Sequence, residues 1–174
     1  RIAEEYSVDV SSSQLKWTGY HLAKSYAHWG HVNLKSGSLT LDGNRIATAE
    51  FVIDMTTLAS KDIEDAKDRA KLDGHLKSDD FFSVSEFPEA KLTIKKTTKK
   101  ADGVYATVAD LTIKGITKEI NFDTKVKNLA NNTLEATADF TVNRTDFKVM
   151  YGWSLENAML DDDFRMEVSL VAKK

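Results

Sequence analysis

The side chains able to do bond-making chemistry are few and scattered. There are four histidines, His21, His28, His31 and His75, and no cysteine, which removes disulfides, thiolate metal sites and cysteine nucleophiles together. His28 and His31 are three apart, a spacing that makes a metal site only when a helix puts both rings on one face beside a suitably spaced carboxylate. The stretch HLAKSYAHWGH over residues 21–31 has no helical period and offers no such carboxylate. These two histidines therefore read as residues of an exposed loop, and His75 as a structural residue bonding the backbone beneath the turn that follows it. Serine, histidine and aspartate all occur, but no G-x-S-x-G elbow frames a serine. Arg144 with Asp146 reads as an ion pair fixing a long loop, with a headgroup contact from Arg144, Lys148 or Tyr151 as the alternative. The three aspartates at 161–163 read as a solvated turn. No catalytic residue, metal site or cofactor is expected from this pattern.

Composition narrows the field further. The 24 Lys and Arg balance 27 Asp and Glu, for a net charge of −3, and no basic block could track a phosphate backbone, so nucleic acid is excluded as a partner. No apolar run approaches the ~18 residues of a membrane span. The opening RIAEEYSVDV is neither a start methionine nor a signal sequence, which suits a mature chain after removal of a secretory signal, or a chain trimmed at a domain edge. At 174 residues, a single domain spanning 1–174 can bury a substantial core.

What remains is apolar surface and the elements that arrange it. Strands are expected at 5–10, 14–20, 32–41, 45–55, 89–97, 104–113, 116–127, 133–142 and 164–172, with a loop or bulged strand carrying Tyr26 and Trp29 between the second and third. Leu15 and Trp17 share a face of their strand. Ala47, Ala49, Phe51, Ile53 and Met55 share a face in the fourth strand, and Leu134, Ala136, Ala138, Phe140 and Val142 do so later. The turns Asp42-Gly43-Asn44, Asp102-Gly103, Lys114-Gly115 and Asn131-Asn132 join neighbours as hairpins. Residues 60–72, SKDIEDAKDRAKL, predict a helix with a narrow stripe of Ile63, Ala66 and Ala70, ended by Gly74. Ser78 would cap a further helical turn through Asp79 and Asp80, Phe81 and Phe82 press that turn onto a core, and Pro88 opens the next strand. Consecutive antiparallel strands with consistent faces and one helix over an end predict an all-β, antiparallel up-and-down barrel of about eight strands; a sandwich is the rival.

Within such a barrel the small inward positions matter. Ala47, Ala49, Ala106, Ala136 and Ala138, beside Phe51, Phe122, Phe140 and Met166, describe either a wall that encloses an apolar chain or small residues packed against larger partners in a filled interior.

Three stretches together resemble the YceI-like family of lipocalin-like, polyisoprenoid-binding proteins. They are HLKSDDFFSVSEFPEAKL at 75–92, LTIKGITKEINF at 111–122 and NRTDF at 143–147. There are departures: the family's Arg-Ser-Asp-Phe-Gly reads Arg144, Thr145, Asp146, Phe147 and Lys148 here, and its early G-x-F reads Gly30, His31, Val32. The resemblance implies an elongated apolar interior holding an isoprenoid lipid, a polyprenyl chain or quinone tail, for transport, storage or stress protection. It also implies a periplasmic or secreted, envelope location, with homodimers in some members. Besides the nine wall residues above, Trp17, Ile53, Phe81, Phe82, Phe147, Tyr151 and Trp153 are the candidate ligand contacts. The rival functions are an interaction protein with a filled barrel, its exposed Trp29 and Trp153 meeting a partner, and a histidine-dependent enzyme acting on such a lipid.

Overall fold

Residues 3–21, 27–79, 81–150 and 160–174 are described by the structure, a computed structural model. Its strands are β1 (Glu4–Val8), β2 (Gln14–His21), β3 (Ala27–Asp42), β4 (Arg45–Ser60), β5 (Glu89–Ala101), β6 (Val104–Ile113), β7 (Ile116–Leu129), β8 (Thr133–Asn143) and β9 (Leu160–Lys173), and helix α1 spans Ala66–Lys77. From β2 to β9 each strand pairs antiparallel with the next, and β2 pairs back onto β9, so the sheet closes as an eight-position up-and-down barrel. The ninth strand adds no position. β1 lies between β3 and β9 in line with β2, pairing Tyr6 with Leu39 and Val8 with Ala172. The break between β1 and β2 is a 3₁₀ turn at Val10–Ser12, stitched to β9 by Asp9 N–H donating to the Val171 carbonyl at 2.8 Å.

The turns obey the chirality of tight hairpins. Lys114 and Gly115 both have positive φ, 53° and 73°, as do Asn131 and Asn132 at 61° and 55°, the twist-matched geometry for two-residue connections. All hairpin turns of one parity lie at one end, where Tyr6, Leu39, Leu41, Ile46, Leu134 and Ala172 are buried and plug the barrel. The helix lies at the other end.

Two strand phases differ from the sequence reading. In β4 the register slips between Thr40 and Leu41 of β3, where Thr48 and then Ile46 are the successive partners. Ala47 is the extra residue of this bulge, and Ile46, 2 % exposed, takes the inward place. In β6, Tyr105, Thr107, Ala109, Leu111 and Ile113 are the buried set, which puts Ala106 outside with Val104 and Val108. Both faces of that strand are half apolar, so alternation alone leaves the phase undetermined.

The helix is shifted toward the C-terminus. β4 runs on to Ser60, and Asp65 caps the helix by accepting from Lys67 N–H at 2.8 Å and Asp68 N–H at 3.1 Å. Its packed side is Leu72 and Leu76; Ala66 and Ala70 are exposed, and Ile63 precedes it. Gly74 sits inside the helix, which ends instead at Ser78, whose N–H and hydroxyl both donate to the His75 carbonyl. Ser78 thus stops one helix rather than starting another. Phe82 N–H then donates to the Leu76 carbonyl, folding the chain back so that Phe81 is buried. The aspartates at 161–163 lie in β9, not in a turn before it.

Candidate functional site

The inward faces surround an open-ended cavity of about 840 Å³, toward the upper end of the roughly 300–1,000 Å³ of small-molecule sites. It runs from Ile46, Thr124, Ala136 and Leu170 near the plugged end to a mouth beneath α1. Hydrocarbon dominates its wall because each lining strand alternates, and the inward partners are large in its upper half: Phe51, Ile53 and Met55 from β4, Leu92 from β5, Leu111 and Ile113 from β6. Near the plugged end the polar atoms pair among themselves. The Thr107 and Thr124 hydroxyls are 2.8 Å apart, and Thr97 Oγ1 donates to the Ile46 carbonyl at 2.6 Å, so that end stays effectively apolar.

Of the candidate contacts, Trp17, Phe51, Ile53, Phe81, Phe82, Phe122, Ala136, Ala138, Phe140 and Met166 line this cavity. Four do not. Ala47 is on the bulge and Ala106 on the outer face. Ala49 is buried without lining the cavity, and Phe147, 1 % exposed, is buried at the end of the 3₁₀ turn Arg144–Phe147. Tyr151 and Trp153 lie outside the described residues, as does Tyr26. Phe81 and Phe82 meet edge to face at 5.1 Å where the helix joins the barrel.

The mouth is polar, and the sequence reading missed how it is built. Tyr20, His28, Asp68, Lys71, His75 and Arg144 stand around it. His28 is not in a loop but on β3, with Nδ1 2.8 Å from Asp62 Oδ2, while Asp62 Oδ1 accepts from Trp29 N–H at 3.1 Å. Thirty-odd residues of chain separate that pair, so no local spacing reveals it. His31 is also on β3. Partial burial, then Lys61 and Lys16 nearby, hold its imidazole below the usual pKa, which suits a neutral ring 2.6 Å from Gln14 Nε2. Trp29 is partly buried, with the Lys16 ammonium 4.6 Å from its ring centroid. His75 is on α1, exposed at the rim, and it is its backbone carbonyl that serves the following turn.

Arg144 is 4 % exposed. Its Nε donates to the Asp161 carbonyl at 2.9 Å and Nη1 to the Val149 carbonyl at 2.8 Å, with Asp162 Oδ1 3.8 Å from Nη2. Among the described residues its carboxylate neighbour is Asp162, not Asp146, and its bond to the Asp161 carbonyl ties the end of β8 to the start of β9. Among the described residues no group of three or more histidine or acidic side chains converges as a metal site.

A closed antiparallel barrel, plugged at one end, open beneath a helix at the other and lined with hydrocarbon, places the molecule among the lipocalin-like barrels. The chain belongs to the YceI-like family, whose domain matches residues 6–172. It is 30 % identical over 132 residues to a UPF0312 protein of Yersinia enterocolitica, covering 75 % of this chain and 65 % of the relative. It is 33 % identical over 105 residues to a UPF0312 protein of Staphylococcus aureus, covering 56 % and 58 %. The chain therefore spans less than two thirds of the length of these curated relatives. Among solved structures, BcnA of Burkholderia cenocepacia is similar with a TM-score of 0.76 at 18 % identity, covering 95 % of this chain and 99 % of that one. A polyisoprenoid-binding domain from Saccharophagus degradans, implicated in plant cell wall breakdown, has a TM-score of 0.70 at 14 % identity, covering 97 % of each. At these identities the structural likeness speaks to the fold.

Proposed function

We propose that this protein is a non-enzymatic binder that holds an isoprenoid lipid, a polyprenyl chain or quinone tail, inside the barrel. The observation that carries the reading is the apolar cavity of about 840 Å³ opening under α1. A hydrocarbon chain needs nothing more to bind: ten methylenes removed from water contribute ~8 kcal/mol before ordering costs. The polyisoprenoid-binding domain that shares the fold supports the same class of ligand. Transport, storage or protection of such a lipid in the cell envelope, periplasmic or secreted, is the role we infer. Among the described residues no helix is long and apolar enough to cross a membrane.

Mass spectrometry of an organic extract of protein purified from its own cells tests this. An isoprenoid at near-stoichiometric amount is expected; repeated absence of any lipid would sink the proposal. The imidazole–carboxylate pair His28–Asp62 at the mouth favours, as the second reading, a histidine-dependent reaction on the lipid's head. His28→Gln separates the two, since a binder keeps its lipid unchanged in either protein whereas an enzyme would accumulate unconverted substrate in the variant.

A further inference from the structure

The barrel wall is not equally sealed all round. β7 and β8 pair from Leu129↔Thr133 as far as Thr124↔Ala138, and there the ladder stops, although β7 starts back at Ile116 and β8 runs on to Asn143. Over the same stretch each strand keeps its other neighbour, β7 holding β6 to the Ile113↔Ile116 pair and β8 holding β9 to Asn143↔Asp163. Among the described residues the wall thus forks into two lips, 116–123 and 139–143. The fork is bounded above by the Arg144–Phe147 turn, which is tied to the β6–β7 hairpin by Lys114 Nζ donating to the Lys148 carbonyl at 2.9 Å.

Charges on the outer face hold each lip to its own side. Glu119 accepts from Lys95 of β5 at 2.7 Å and Asp123 from Lys100 at 2.9 Å. On the other lip, Asp139 accepts two bonds from Arg165 of β9, at 2.9 and 2.5 Å. Besides the attraction of Lys125 on β7 for Asp139, what spans the fork is hydrocarbon: the Phe122 and Phe140 rings stack with centroids 4.5 Å apart and planes 19° from parallel. Both rings line the cavity. An outer groove of about 480 Å³ lies over the crotch and shares Thr137, Ala138 and Val168 with the cavity within. A backbone ladder resists parting along its whole length, whereas one ring stack yields when another apolar group offers the same contact. Both routes pass charge, the mouth being ringed by Asp68, Lys71, Arg144 and Asp163 under the helix and the groove by Lys16, Asp123, Lys125, Asp139 and Glu167; the fork differs in lacking the backbone ladder, so that its lips can part around a passing chain.

Resting on the lipid-binding reading, we propose that the fork between β7 and β8 is a side gate through which the hydrocarbon chain loads and leaves, with Phe122 and Phe140 as its leaves. The two rings separate as the passing chain replaces their mutual contact, and the chain does not pass the polar mouth beneath the helix.

Because the chain has no cysteine, the gate can be clamped cleanly. Asn121→Cys with Thr141→Cys places one exposed thiol on each lip, to be joined by a reductively cleavable bis-maleimide. Lys127→Cys with Glu135→Cys, partners in the paired part of the same strands, controls for cross-linking itself, and Lys71→Cys with Asp163→Cys tethers the mouth. The readout is transfer of bound all-trans-retinol to phosphatidylcholine vesicles, with its Kd measured alongside. The lip clamp is expected to slow transfer about tenfold or more, reversibly on reduction, with Kd changed less than about threefold and both other tethers within about twofold of the rate without cross-linking. Phe122→Ala should speed it. Unchanged transfer with the lips clamped, or equal slowing with the mouth tethered, overturns the gate while leaving lipid binding intact. Failure of retinol to bind the uncross-linked protein overturns both.

Discussion

Single residues show where local rules are kept or broken. Lys148 is left-handed, with φ 56° and ψ 32°, and its N–H closes the 3₁₀ turn on the Arg144 and Thr145 carbonyls. A glycine adopts that conformation without Cβ strain, so Lys148→Gly is expected to stabilise the fold by about 0.5–1 kcal/mol, read as a higher denaturation midpoint. The family's usual glycine falls at this position, and the departure seen in the sequence is a strained backbone in the structure. Asp9 shows the opposite. The Ser11 and Ser12 hydroxyls and Lys173 hold its carboxyl down at about 2. Its folded pKa lies below the unfolded value, so its contribution is full above about pH 4–5 and fades as pH falls toward 2. Asp9→Asn should therefore flatten the acid limb of a stability–pH curve in that window and leave the neutral-to-alkaline part with an unchanged slope. A slope change confined to pH 6–8 would contradict it. None of the Asp9 carboxylate's partners is a hydrophobic-pattern residue, which is why strand periodicity passes over it.

At the scale of elements, the helix teaches most. A charged segment with a few apolar positions has several registers in which a stripe can be drawn, and the stripe through Ile63, Ala66 and Ala70 is one of them. The observed helix is set by its ends, the Asp65 cap and the Ser78 stop, and by Leu72 and Leu76 meeting the barrel. Gly74 is then a helix-interior glycine whose added methyl would meet nothing within 4 Å. Gly74→Ala should stabilise by about 0.5–1 kcal/mol, raising Tm by about 1–4 °C; a loss of stability would mean that the helix does not run through this residue. Gly30 behaves differently. A Cβ there would collide with the Ala59 carbonyl and the Trp17 ring, because β2, β3 and the end of β4 approach closely at the Gly30↔Ser60 and Gly30↔Trp17 pairs. Gly30→Ala is expected to cost about 1–3 kcal/mol, measurable by urea denaturation. Both glycines look alike in sequence; only their neighbours separate them.

For the whole molecule the question is what fills the barrel. If the cavity serves a lipid, Ala138→Phe should occupy it, lowering bound isoprenoid in extracts at least several-fold while the far-ultraviolet circular dichroism is unchanged and stability shifts by under about 2 kcal/mol. Retained lipid with a well-folded variant would place the ligand elsewhere. Local patterning is enough for the antiparallel hairpin order, the barrel, the turn positions and most inward faces, because a period of two and a glycine or asparagine at a left-handed turn are local properties of the chain. Eight of the candidate contacts, all strand residues, fall on the cavity for that reason, and Phe81 and Phe82 reach it from the turn after the helix. Tertiary structure alone decided the rest. The β4 bulge that exchanges Ile46 for Ala47, the use of β1 to extend β2, the His28–Asp62 pair and the parting of β7 from β8 all depend on which strand lies opposite which. The volume left inside depends on how eight inward faces meet around a closed ring. Pairing across a barrel is non-local, and no window along the chain contains both partners.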